Sequence, residues 1–132
     1  MRQKIYFLLP ILLLLLFAGC SNGGKLNKEL NAMAERLNQS APAQLDEHTI
    51  FLGAHVTGNN VFQYSYQIVN SENPDSLMLA VEKQTRASIR EAFQLNPDLK
   101  IFTVNNLNIE YIYSDSTGSL LRKIEITPED YK

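Results

Sequence analysis

The chain has little cysteine: one residue, Cys20, at the end of a leucine-rich run near its start. Without a second cysteine no disulfide can brace the fold, so stability must come from a hydrophobic core. The sequence also lacks a Gly-x-Ser-x-Gly nucleophile elbow and a phosphate-cradling glycine loop. Positive charge is not in excess. Over the whole chain 12 Lys and Arg stand against 14 Asp and Glu. A mildly acidic chain is a poor partner for nucleic acid, whose affinity comes largely from phosphate contacts with Lys and Arg. There are only two histidines, and they do not converge. His48 follows Asp46-Glu47 at a strand entrance, while His55 lies seven residues on and on the other face. At about 3.3 Å per strand residue they stand some 20 Å apart, too far to share a zinc ion with ligands at about 2.0–2.3 Å. Asp115-Ser116-Thr117-Gly118 lacks the spacing of an aspartic-protease loop and the acidic oxygens of a calcium loop, and reads as a hairpin turn. No cofactor, no metal and no catalytic group is expected.

What the sequence does have begins at the first residues. Arg2 and Lys4 precede an uncharged run from Ile5 to Ala18. The run is short of the ~20 apolar residues that cross a bilayer core, and a basic start, an apolar middle and small residues at the end describe a secretory signal peptide. Ala18-Gly19-Cys20, with Phe17 and Leu16 before it, resembles the lipobox of bacterial lipoproteins. The resemblance implies that residues 1–19 are cleaved and that Cys20 is acylated. Two or more acyl chains, at ~0.8 kcal/mol per buried CH₂, anchor a protein stably. Ser21 after the cysteine implies, by the enteric sorting rule, the periplasmic side of the outer membrane where the source cell has one. Residues 20–24 are expected as anchor and flexible tether, and residues 25–132 as one domain. Without the leader the 12 basic residues fall to 10 and the charge to about −4, His counted neutral.

Within the domain, Leu26, Leu30, Met33 and Leu37 step by four, three and four along one helical face. Thr49–Val56 and Val61–Val69 alternate at period two around the turn Thr57-Gly58-Asn59-Asn60 and predict a hairpin. Asp75 or Ser76 predicts a helix cap, with the helix running to about Leu95 before Asn96-Pro97. Leu99–Val104 is either a helical turn or an extended link. A second hairpin follows: Leu107 to Tyr113, the Asp115–Gly118 turn, and Leu120 to Ile126. The order helix, two strands, helix, two strands predicts an α+β fold, with two helices packed on one face of a four-stranded, mostly antiparallel sheet.

The succession of these elements, with "YIYSDSTGSLL" in the second hairpin, resembles small uncharacterised bacterial envelope proteins and implies no activity. Strand parity places Phe62, Tyr64, Tyr66, Ile109, Tyr111 and Ile124 toward the helices. The opposite face then carries Phe51, His55, Gln63, Ile112, Leu121 and Lys123, three of them apolar. Apolar residues rimmed by polar ones on an uncovered face are a candidate protein-interaction surface. The sequence thus describes a membrane-anchored, non-enzymatic interaction module of the cell envelope, in an accessory, assembly, inhibitor or immunity role. The alternative is a carrier or sensor of a small apolar ligand, held in a pocket lined by Tyr64, Tyr66, Tyr111 and Tyr113.

Overall fold

A computed structural model describes residues 21–132. The expected signal peptide and Cys20 lie outside the described residues. The chain opens with helix α1 (Ser21–Asn38), then strands β1 (Ala43–Gln44), β2 (Thr49–Val56) and β3 (Phe62–Ile68). Helix α2 (Pro74–Leu95), a 3₁₀ turn (Pro97–Leu99) and helix α3 (Lys100–Val104) follow. Strands β4 (Ile109–Ser114) and β5 (Leu120–Ile126) and a short helix α4 (Pro128–Tyr131) complete it. The sheet order is β1-β2-β3-β4-β5. Every neighbouring pair is antiparallel except β3–β4, which is parallel. Parallel neighbours need a long crossover, and α2 with α3 supplies it.

The α+β architecture and the order of the main elements follow the sequence pattern. Leu30 and Ala34 of α1 are buried, with Leu26, Met33 and Leu37 against the core, so the expected stripe is the packed face. Met78, Ile89 and Phe93 of α2 are buried likewise. Both long helices lie on the same face of the sheet. α1 packs on β2, and Glu82 of α2 holds Arg122 of β5, which shares its sheet face with Ile124 and Ile126. Leu99–Val104 resolves into helical turns, and Phe102 enters the core, edge-on to Phe62 at 5.4 Å and tilted against Phe93 at 6.1 Å.

Several features depart from the expectation. The sheet has five strands, because Ala43-Gln44 pairs with Ile50-Phe51. Two residues are too few to show alternation. The cap of α2 is Asn73, whose Oδ1 accepts from the Ser76 amide at 3.1 Å; Pro74 takes the first helical position, where its missing N–H costs nothing. Residues 21–24, expected as a flexible tether, are the first turn of α1. A helix already nucleated and packed gains one hydrogen bond per added residue, enough to draw in a weak former. α4 carries Tyr131 into the core, where its hydroxyl donates to the carbonyls of Phe102 and Leu107 at 3.1 and 2.8 Å.

Candidate functional site: the open face of the sheet

The face away from the helices is built by strand register. Gln63, Glu110 and Glu125 lie side by side across β3, β4 and β5, with His55 of β2 next to Gln63. In the next row Ser65, Ile112 and Lys123 are neighbours. Gln63 Nε2 donates to Glu110 Oε1 at 2.8 Å, and Lys123 Nζ reaches Glu110 Oε2 at 2.8 Å and Glu125 Oε1 at 3.2 Å. The Lys123 hydrogen bond, helped by that from Gln63, holds the Glu110 carboxyl below its ordinary range, and Glu110 and Glu125 in turn raise the Lys123 ammonium. A carboxylate stabilised in its ionised form is a poor proton donor at neutral pH, and an ammonium stabilised in its charged form is a poor base. The ladder is suited to recognition by charge and hydrogen bonding rather than to proton transfer.

Of the six expected face residues, four are brought together. Gln63 and Lys123 meet through Glu110, His55 lies exposed beside Gln63, and half-buried Ile112 lies beside Lys123. Phe51 is a correction: it is buried in the core. A β-bulge after Phe51 sets Phe51 opposite Tyr66 and Gly53 opposite Ser65, leaving Leu52 as the extra residue. The bulge inverts parity along β2, so Phe51 turns inward, 5.6 Å from the Tyr66 ring, and Ile50 falls opposite Gln67 on the open face. Leu121 is displaced too. It is the extra residue of a second irregularity, between the pairs Tyr113–Arg122 and Ser114–Leu120, and it packs against the core. A glycine inside a strand pattern is a known mark of a bulge, so Gly53 carried the signal that places Phe51. Nothing comparable in the sequence marks Leu121.

The bulge in β2 is clamped. Gly53 has φ +148, and a Cβ there would stand 2.8 Å from Asn38 Oδ1. That oxygen accepts from the Ala54 amide at 2.6 Å, and Asn38 Nδ2 donates to the Ala54 carbonyl at 2.9 Å. The end of α1 is thereby tied to β2.

On the helix face the four tyrosines form a ladder. Tyr64 stacks on Tyr111 at 5.3 Å and Tyr66 on Tyr113 at 4.9 Å, with Phe62 next to Tyr64 at 5.0 Å. Burial raises the phenols of all four, that of Tyr111 to about 12. The rings fill space against one another. A surface cleft of about 470 Å³ lies elsewhere, lined by Phe93, Leu95, Pro97, Lys100, Tyr131 and Lys132 among others. No group of three or more His, Cys, Asp or Glu placed to hold a metal occurs among the described residues. His48 Nδ1 lies 3.1 Å from the Val69 carbonyl, to which it donates when that nitrogen carries the proton, in the turn before β2 and well away from His55. Asp115 Oδ1 accepts from the amides of Thr117 and Ser119 and from the Thr117 hydroxyl, as a turn-forming aspartate does.

The chain belongs to a protein family described as "Domain of unknown function (DUF8479)", whose pattern matches residues 26–121. None of the curated proteins matches it. Two solved structures share its fold. One is a Pseudomonas aeruginosa protein described as secreted, with a TM-score of 0.66 at 14% identity, over 80% of this chain and 92% of that one. The other is the pilotin of the Vibrio vulnificus type 2 secretion system, with a TM-score of 0.55 at 13% identity, over 83% of this chain and 97% of that one. At these identities the likeness is one of fold.

Proposed function

We propose that the protein is a lipid-anchored accessory module of the bacterial cell envelope, acylated at Cys20, that works by binding an envelope protein and catalyses no reaction. The observation that carries this is the open sheet face. Glu110 and Lys123 hold each other in their charged forms there, and half-buried apolar residues flank them. The lipobox-like leader supports the anchor, and a secretion-system pilotin of the same fold supports an accessory role in assembly. Ser21 favours the outer membrane. A short link between anchor and domain raises the effective concentration toward a membrane-bound partner to the order of millimolar, so a modest contact suffices.

The anchor is tested by Cys20→Ser. The variant should lose palmitate labelling and fractionate as an unprocessed precursor or a soluble protein; a variant that still matures at residue 20 and stays membrane-bound refutes acylation. The face is tested in the anchored protein by photo-crosslinkers placed at Ile112 and, as a control, at exposed Leu79 on α2. A discrete adduct from Ile112 alone, lost on Lys123→Glu, is expected. Adducts from Leu79 alone would move the contact to the helices.

A further inference from the structure

The two ends of the domain differ, and only one lies where the chain enters. α1 begins at Ser21, and Asn27, in its second turn, donates from Nδ2 to Asn60 Oδ1 in the β2–β3 turn at 3.0 Å. The second turn of α1 is therefore level with that turn, and the helix start projects beyond it. The starts of β3 and β4 and the end of β5 lie there too, since Phe62, Ile109 and Ile126 are register partners. Helix α2 ends at the same level, because Phe93 stacks on Tyr131 at 4.7 Å and Tyr131 is tied to the carbonyls of Phe102 and Leu107. This end exposes Leu95 and Val104, 73% and 64% accessible. Lys100 and Lys132 line a cleft with Leu95, and Lys25 and Lys28 are exposed on the first turns of α1. The acids at this end include Glu29 and Asp98, which line a cleft together with Arg36, and on α4 Glu129 and Asp130, the latter paired with Arg86 at 3.6 Å. At the opposite end of the sheet lie Leu120, the first residue of β5, and turns carrying Asp46, Glu47 and Asp115.

We infer that the α1-start end, with Leu95, Val104 and the four lysines, is a membrane-contact surface that lies against an anionic bilayer. The inference rests on acylation at Cys20 and adds to it the orientation of the domain. A helix that starts one residue after the anchor rises about 1.5 Å per residue, so Asn27 and the β2–β3 turn sit only about 10 Å from the anchored residue. That is close to one Debye length at physiological salt, about 8 Å, within which lysines feel the negative surface. Leu95 and Val104 supply apolar contact at the headgroup level. The acidic turns point away from the same field, and the open sheet face stands sideways, free for a partner.

The chain has no tryptophan, so single substitutions give unambiguous probes. Leu95→Trp, Val104→Trp and Leu120→Trp each replace an exposed residue, and circular dichroism should show all three folded as the parent is. The acylated proteins are placed in vesicles containing phosphatidylglycerol and brominated lipid, and flotation is scored first. Emission from the Leu95 and Val104 variants should shift to the blue and be lost to bromine quenching, whereas the Leu120 variant should keep a water-like spectrum. Replacing Lys25, Lys28, Lys100 and Lys132 by Gln should relieve the quenching while flotation persists. Equal quenching at all three positions, or stronger quenching at Leu120, overturns the orientation with the anchor intact. Failure to float overturns acylation itself.

Discussion

The two faces of one sheet are held by opposite means. On the helix side, rings and aliphatic groups are packed out of water: Phe62, Ile109, Ile124 and Ile126 have no accessible surface, and stacked tyrosines extend the layer across β3 and β4. On the other side Gln63, Glu110, Lys123 and Glu125 satisfy one another at the surface. Burial of apolar area is worth some 25 cal/mol per Å², while exposed ion pairs contribute about 0–1 kcal/mol. The first face makes the protein fold. The second is left free to be specific, because changing it scarcely alters stability.

The largest break in that contrast should come from the tyrosine ladder. Tyr64→Ala or Tyr111→Ala removes a stacked ring from the packed layer and should cost roughly 3–5 kcal/mol, the range for a large aromatic lost from a core. Urea melts of residues 21–132 would measure it. Losses no larger than those from open-face substitutions would erase the distinction between the faces.

Next in size is the bulge that turns Phe51 inward. Gly53→Ala puts a side chain at φ +148 and a methyl 2.8 Å from Asn38 Oδ1, the acceptor for the Ala54 amide. A backbone conformation reserved for glycine costs of order 1–3 kcal/mol on its own. The same melts should show at least this loss. A neutral result would mean that β2 can drop its bulge and return Phe51 to the open face.

Alkali should separate the faces without mutation. A phenol pushed up to about 12, as in Tyr111, is neutral when folded at pH values where the unfolded phenol, near 10, is already losing its proton. A group raised in the folded state contributes stability fully below its unfolded pKa and loses it as pH climbs through the folded one. Stability should therefore decline between about pH 10 and 12, and phenolate absorbance from the ladder should appear together with unfolding. Ladder phenolate forming while circular dichroism is still native would mean that the ladder is open to water.

How far the sequence could foresee this structure depends on the length of each signal. The stripe of α1, the β2–β3 hairpin, α2 and the β4–β5 hairpin each repeat their period several times, and each formed. β1, with two residues, and α4, with four, are too short to show a period. Parity then carried the face assignments only as far as the strands stay regular. It placed Gln63, Ile112 and Lys123 correctly because β3 and the centre of β4–β5 are unbroken, and it misplaced Phe51 and Leu121 where an extra residue enters the ladder. The polar ladder itself was half legible. Lys123 bridges Glu110 and Glu125 within the β4–β5 hairpin that the sequence predicts, but that Gln63 joins them depends on the parallel β3–β4 junction, which no local pattern encodes.

The smallest expected effects belong to that ladder, and they test whether it is kept for stability. Gln63→Ala should stay within about 0.5 kcal/mol of the parent, as surface changes away from special features usually do. Acid offers the finer measurement. Glu110 is held below the ordinary carboxylate value chiefly by its hydrogen bond from Lys123. A group depressed in the folded state contributes stability above its unfolded pKa, and that contribution is lost as pH falls through the folded value. Glu110→Gln should therefore leave the parent's stability slightly lowered at neutral pH and flatten its decline below about pH 4.5, near the ordinary glutamate value. If the variant instead matched the parent at every pH, the bonds to Lys123 and Gln63 would contribute nothing to folding. The ladder's placement would then have to be explained by what it binds alone.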